Sequence, residues 1–359
     1  MAHRKTYLGI FTISLSLLLF ELSLIRIYST IMFYHFAFMA IAVAMLGIAA
    51  AGLTVHLYPH RFSRDQLEKW AGQWSGCYAV VVVAVLWIVF HIPVNPYIAP
   101  TEVAGKLIAI YILSAIPFYF AGLVVCGLFA ALPHKAGGLY AWDLIGAGLG
   151  ALLIIPLMNI VGGESAVFYI AVLGAISAIF LGGIKQRKIF LALAVVLLVL
   201  GLTNSSVGWL RIVYSKGKLV KELDVRYNRW NSFSRVMVIP FSPGTDAAYT
   251  WCPSPNYPLP IMPHFALMID DGSSSPVLPF DGHNLEPINY LKYDLTSLPH
   301  RLRGSGQTMI IGCGGGRDVL TGLMFGAEHI DAVDINPLVF DAMNGYLAGF
   351  NGRLYRHQR

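Results

Sequence analysis

Charge is what this chain has least of. Asp, Glu, Lys and Arg make up 12% of its 359 residues, where an ordinary soluble domain has about 25%. A water-soluble surface along the whole length is thereby excluded. Cysteine is also sparse and badly spaced for a framework: Cys77 and Cys126 fall in apolar runs, Cys252 in a proline-rich stretch and Cys313 in a glycine loop. No CxxC pair or Cys/His ligand spacing occurs, so neither a disulfide scaffold nor a metal site is expected. The Ser/His/Asp elbow, HExxH and P-loop patterns are all missing, which removes the usual hydrolase, metalloprotease and NTPase readings. The net charge of +6 comes largely from short loops beside apolar runs, not from a basic stripe interleaved with aromatics. No nucleic-acid partner is therefore expected.

Apolar residues are in excess, at 56%, and a bilayer core takes about 20 of them in a helix. Seven runs meet that length, at 7–29, 33–57, 75–92, 107–132, 139–161, 165–183 and 189–209. The first follows Met1-Ala2-His3-Arg4-Lys5 and lacks a small-residue cleavage site, so it reads as a retained helix and not a signal peptide. The last is the weakest, because its unbroken apolar part, 189–202, is short and runs into Thr203-Asn204-Ser205-Ser206. A re-entrant or interfacial segment is the alternative there. Arg4 and Lys5, then Arg61, Arg64 and Lys69, then Lys185, Arg187 and Lys188 fall on one side, which marks that side as cytoplasmic. Seven crossings would place the following segment outside; six would keep it in the cytoplasm.

Several polar residues lie at membrane depth. Glu21 and Arg26 share the first run but point about 140° apart at helical spacing, so each must find partners on other helices. Asp143 stands near the start of the fifth run, and Tyr34-His35 opens the second. Such residues serve either as anchors and glue within a bundle or as a polar site between helices. Gly146 and Gly150 form a GxxxG, with Gly148 between them, which lets another helix approach closely.

Beyond Arg211 the period changes. Strands are expected at 220–225, 235–239 and 265–269, with a hairpin turn at Asp271-Gly272. An irregular loop is expected at 241–263 and a helix near 286–298. The domains read from these shifts are a transmembrane helical domain over 1–209, a small β-rich domain over 210–285 and a partial α/β domain over 286–359.

The sharpest chemical signal is Thr308-Met309-Ile310-Ile311-Gly312-Cys313-Gly314-Gly315-Gly316-Arg317-Asp318: a short strand, then glycines, then a helix. Ile330-Asp331-Ala332-Val333-Asp334 reads as a second strand ending in a carboxylate 22 residues after Gly312, a spacing that suits hydrogen bonds to ribose hydroxyls. A dinucleotide fingerprint would need Gly or Ala at position 317, where Arg317 stands. Gly312, Gly314 and Gly316 instead spell GxGxG, the pattern of S-adenosylmethionine-binding folds.

These residues carry a family resemblance. Residues 311–318 and Ala332-Val333-Asp334-Ile335-Asn336-Pro337 resemble the nucleotide-binding half of membrane-fused spermidine synthase-like proteins. Tyr34-His35-Phe36-Ala37-Phe38, residues 140–147 and Trp230-Asn231-Ser232-Phe233-Ser234-Arg235-Val236 are similar to other segments of that family. The resemblance implies a membrane all-α bundle of about seven helices, a small β unit and a class I methyltransferase-like α/β fold. It also implies transfer of an aminopropyl or methyl group from decarboxylated S-adenosylmethionine, or S-adenosylmethionine itself, to a small-molecule amine. Gly312, Gly314 and Gly316 would line the nucleoside, and Asp334 would hold the ribose. A cytosolic donor implies a multi-pass protein of the inner membrane whose soluble tail is cytoplasmic.

The chain departs from the family at two places. Leu291-Lys292-Tyr293 stands where soluble aminopropyltransferases carry a Tyr-His-Glu cluster, and Gly315 where they carry an acidic residue. Only 25 residues follow Asp334, whereas each βαβ unit takes about 30. The α/β domain is therefore expected to be incomplete, and no catalytic residue is assigned. Further chain or a second polypeptide would complete it. The competing expectation is a non-enzymatic transporter or scaffold, with Glu21, Arg26 and Asp143 as its working residues.

Overall fold

The computed structural model describes residues 2–95, 99–220, 224–241, 254 and 263–358. The chain divides into two compact units, one of residues 1–219 with 230–233 and the other of 220–229 with 234–359.

The first unit is helical. Its elements are α1 (Ala2–Ile31), α2 (Met39–Leu57), α3 (Leu67–Phe90), α4 (Pro100–Ala131), α5 (Ala136–Leu181) and α6 (Ile184–Val207). All six are long and apolar enough to cross a membrane. The expected fifth and sixth runs are joined in α5, whose 46 residues would span about 69 Å if straight. The helix is not straight, because Gly162 adopts φ 78° and ψ 169°, a conformation that a side chain would strain.

Contacts on either side of Gly162 show that the chain reverses there. Along the arm before it, Gly146 lies against Phe11 and Gly150 against Leu15, so this arm runs parallel to α1. Along the arm after it, the Ile170 carbonyl accepts from Ser16 and Ser177 donates to the Gly9 carbonyl, so this arm runs antiparallel to α1. Residues near 150 and 170 thus meet the same level of α1, which a continuous helix would separate by about 30 Å. Trp230 covers the reversal, its ring atoms 3.1 Å and 3.0 Å from where side chains at Gly162 and Gly163 would begin. Asn159 accepts the Ser232 N–H at 2.7 Å.

Among the described residues, the seven long helical segments therefore alternate in direction. Tyr28 bonds Ser114 and Phe20 packs on Phe118, which sets α4 antiparallel to α1. Gly72 meets Gly182 and Gly174 meets Tyr78, which sets α3 antiparallel to the second arm. The last run is a full helix, contrary to the re-entrant alternative. Its polar end is a terminus: Asn204 accepts the Leu210 N–H at 2.8 Å and donates to Ser165 at 3.1 Å, and Gly208 caps it with φ 75°.

Close packing comes from small residues, and specificity from hydroxyls. A side chain at Gly146 would run into the Phe11 carbonyl, and one at Gly150 would lie 3.0 Å from the Leu15 carbonyl. The GxxxG thus docks on α1, as close helix approach in lipid requires. Ser16 bonds Tyr78 at 2.9 Å inside the bundle, and the Ser14 hydroxyl donates to Asp143. The outer surface is apolar: Met45 and Leu152 are 68% exposed, and Ile160 and Ile184 are 80% exposed. A surface of this kind is suited to lipid and not to water.

In the second unit, β3 (Tyr227–Trp230, its last residue counted with the first unit), β4 (Arg235–Phe241), β5 (His264–Ile269) and β6 (Ser273–Val277) form a sheet in that order. It is preceded by a two-stranded ribbon that belongs to the helical unit, β1 (Tyr214–Ser215) with β2 (Lys218–Leu219). The strands expected at 235–239 and 265–269 are β4 and β5, and the turn at Asp271-Gly272 joins β5 to β6. The strand expected at 220–225 is not found at 224–225, while 221–223 lie outside the described residues, as does most of the loop expected at 241–263. The helix expected near 286–298 is instead a run of tight turns over Glu286–Tyr293 and Leu295–Ser297, before α7 (Leu298–Arg303). Pro287 and Pro299 each stand in the first turn of an element, the position proline favours, so the chain restarts at Pro299 instead of continuing one helix.

The chain then forms β7 (Gln307–Ile311), α8 (Arg317–Met324), β8 (His329–Val333) and α9 (Pro337–Asp341). β7 and β8 pair in parallel, Gln307 opposite His329 through Ile311 opposite Val333. Position 285, expected to divide two domains, lies inside this unit. Val236, Val238 and Leu267 share one core with Val339, Met343 and Leu347, and Phe280 shares another with Leu291 and Leu320.

The helical packing yields a test. Gly146→Leu should destabilise the bundle by about 1–3 kcal/mol through overpacking, whereas Gly148→Leu should not, because a side chain there would meet nothing within 4 Å. Thermal unfolding in detergent measures both; equal losses would contradict the docking of Gly146 on α1.

Candidate functional site

The glycine loop leaves the carboxyl end of β7, and Asp334 leaves the carboxyl end of β8 beside it. Open α/β sheets bind ligands at such strand ends. The loop takes three positive-φ turns, at Gly312 (78°), Gly314 (50°) and Gly316 (84°). The GxGxG spacing therefore marks the positions where the backbone needs glycine. The loop is packed on one side. A side chain at Gly315 would strike the Pro276 carbonyl, and one at Gly314 would come 2.8 Å from Ser275. At Gly312 a side chain would meet nothing within 4 Å, so open space lies there.

Asp334 is held from two directions. Its Oδ2 accepts the Gly314 N–H at 3.1 Å and its Oδ1 accepts the Asn336 N–H at 2.9 Å. Each carboxylate oxygen keeps a second lone pair, and the pair can accept two hydroxyls. Asn336 is fixed in turn, donating to Ser234 at 2.9 Å while its Oδ1 accepts the Leu338 N–H at the start of α9.

Backbone donors of the loop are already engaged. Gly312 and Cys313 donate to the Val333 carbonyl at 2.7 Å and 3.3 Å, and Gly314 donates to Asp334. Gly315 donates to Ser275 at 2.8 Å, and Gly316 to the Cys313 carbonyl at 2.9 Å. A phosphate-binding loop works by directing such N–H groups at its anion. In this loop the five amides from Gly312 to Gly316 are bonded within the protein, and the backbone is open at Gly312.

All four residues singled out by sequence, Gly312, Gly314, Gly316 and Asp334, thus come together. Two others were not anticipated. Ser275, in β6, anchors the loop, and Tyr355 donates its hydroxyl to the Gly314 carbonyl at 2.6 Å. Arg317 turns inward, 3.2 Å from Asp318 and 3.9 Å from Asp294, so its charge serves the packing under the loop. Among the described residues, no group of three or more His, Cys, Asp or Glu is placed to hold a metal. A cavity of about 240 Å³ lined by Val319, Ile330, Phe340, Leu354 and Tyr355 lies in the same unit. It is below the ~300–1,000 Å³ of usual ligand pockets, and none of the loop glycines lines it.

Membrane-depth residues are placed differently. Asp143 is tied to Ser14 across α5 and α1, an arrangement that fits the bundle-glue reading. Glu21 and Arg26 both lie half-buried on α1.

Comparison of the chain with protein-family models, with curated proteins and with solved structures gave no match.

Burial raises the Cys313 thiol above its ordinary range, with hydrogen bonding from Tyr355 opposing the shift. Burial also raises the Tyr355 phenol. Both groups are therefore neutral near pH 7. Since thiolate is the reactive form, alkylation of Cys313 by iodoacetamide should run roughly tenfold or more below a free thiol at pH 7.5. It should accelerate as pH rises through the elevated thiol range. Peptide mass spectrometry reads the rate, and modification at the free-thiol rate would contradict the buried placement.

Proposed function

We propose that the second unit is a nucleoside-binding domain of the spermidine synthase-like type, carried on a chain that the six long apolar helices hold in a bilayer. The ligand is an adenosyl-sulfonium compound, S-adenosylmethionine or its decarboxylated form. The reaction class is aminopropyl or methyl transfer to an amine, completed by a catalytic carboxylate that would take the amine's proton. No residue of this chain is assigned that last role.

One observation carries the reading. Asp334 stands at the end of β8, locked against a GxGxG loop whose N–H groups from Gly312 to Gly316 are already engaged. A carboxylate with spare acceptors suits a ribose diol, and a loop without spare donors suits a ligand without phosphate. Both features favour adenosyl-sulfonium over a dinucleotide. The class I methyltransferase-like fold is supported by the parallel β7–α8–β8 order. The other face of that parallel pair exposes Met309 (66%), Ile311 (81%) and Val333 (44%). Parallel sheets are ordinarily covered on both faces. Further βα units, in continuing chain or in a second polypeptide, would cover this one.

The test is calorimetry of the intact protein with each nucleoside. Binding is expected, Asp334→Asn should weaken it about tenfold or more, equivalent to ~1.4 kcal/mol, and Gly314→Val should abolish it. No heat with either compound would overturn the reading. Weight would then pass to a transporter or scaffold, for which Asp143→Asn should impair function and Gly314→Val should not.

A further inference from the structure

Two expectations drawn from the sequence collide once the helices are traced. Basic loops call for the cytoplasmic side, and so does a tail using a nucleoside made in the cytosol. Both can hold only if the chain crosses an even number of times. The reversal at Gly162 makes the number odd.

The ends of the bundle differ sharply in charge. At the end where α1 begins lie Arg4 and Lys5, the 58–66 loop with Arg61 and Arg64, Lys135 between α4 and α5, and Lys185, Arg187 and Lys188 at the start of α6. At the opposite end, the connections 32–38 and 91–99 contain no lysine or arginine, and the reversal at Gly162-Gly163 is followed by Glu164. Positive-inside orientation weighs short loops of this kind, each basic residue opposing translocation. The chain leaves the bundle at this opposite end, where Lys106 near the start of α4 and Arg211, Lys216 and Lys218 after α6 are fewer than the basic residues of the first end. Ser215 donates to the Thr30 carbonyl at 2.9 Å, Lys216 N–H donates to the Ile31 carbonyl at 2.7 Å, and Gly217 packs on Asn95 just past α3.

We propose that the glycine loop and Asp334 face the outer aqueous phase, on the side of the membrane opposite the basic loops. Orientation follows from the helical unit alone. Only its consequence rests on the nucleoside reading: a donor made in the cytosol reaches this site after an export step, and the acceptor amine is one met outside the cytoplasm.

Accessibility to a membrane-impermeant maleimide in intact cells tests the orientation, using single cysteines in a background with the native cysteines replaced by serine. His60→Cys reports the basic end and His283→Cys the second unit; both native side chains are exposed. Labelling at 283 with protection at 60, and labelling of both after lysis, is the expected result. The reverse pattern overturns the orientation. Equal behaviour at the two positions overturns the odd number of crossings. Protease digestion of the unmodified chain in right-side-out vesicles gives the same readout without substitution: release of the second unit is expected, and its protection would overturn the proposal. Nucleoside binding is measured separately on purified protein, so either conclusion can fail while the other stands.

Discussion

Everything in the helical unit depends on the backbone turning back at Gly162. In hydrocarbon each peptide N–H and C=O must be satisfied within the structure, which leaves a long apolar run no choice but helix. A 46-residue helix would overshoot a hydrocarbon core of about 30 Å more than twofold. One residue in a conformation open to glycine divides it into two arms of crossing length. Both arms then lie on α1, one parallel and one antiparallel. This makes α1 the central helix and explains its small hydroxyl residues Ser14 and Ser16. Hydroxyls there bond across helices, to Asp143, Tyr78 and the Ile170 carbonyl. A leucine at the same positions would offer only the packing that lipid offers as well.

The second unit works by a different economy. Its glycine loop is tied down by β6, by β8 and by Tyr355, so its conformation is fixed by the protein itself. Preorganisation of this sort lowers the entropic cost of binding. The same bonds use the loop amides of Gly312 to Gly316, ahead of the first turn of α8. The amides of Gly312 to Gly316 are thus bonded within the protein, while the Asp334 carboxylate keeps spare acceptor capacity.

Much of this was readable beforehand, and the reasons differ by element. The seven apolar runs were legible because bilayer thickness imposes a length that few soluble helices meet. Gly146 and Gly150 announced close packing, though not that α1 would be the partner. Gly312, Gly314, Gly316 and Asp334 were legible because backbone conformation and strand-end position constrain residue type directly. The reversal was not, since Gly162-Gly163 inside an apolar stretch looks the same whether the helix continues or folds back. Strand β6 was missed because Ser273-Ser274-Ser275-Pro276 has none of the β-branched pattern, and its order comes from pairing with β5. With it went Ser275. Tyr355, 41 residues from Gly314, shows no local pattern at all.

The reversal can be measured directly as a distance. Spin labels at Ile145 and Ile176 flank Gly162, in arms that meet the same level of α1. Folded back, with each arm packed 8–10 Å from α1, the helix axes at those positions lie within about 20 Å. A helix continuing through Gly162 would hold them about 46 Å apart. Pulsed dipolar spectroscopy on the intact protein in bilayer nanodiscs should give the short distance; the long one would contradict the seven crossings and the orientation drawn from them.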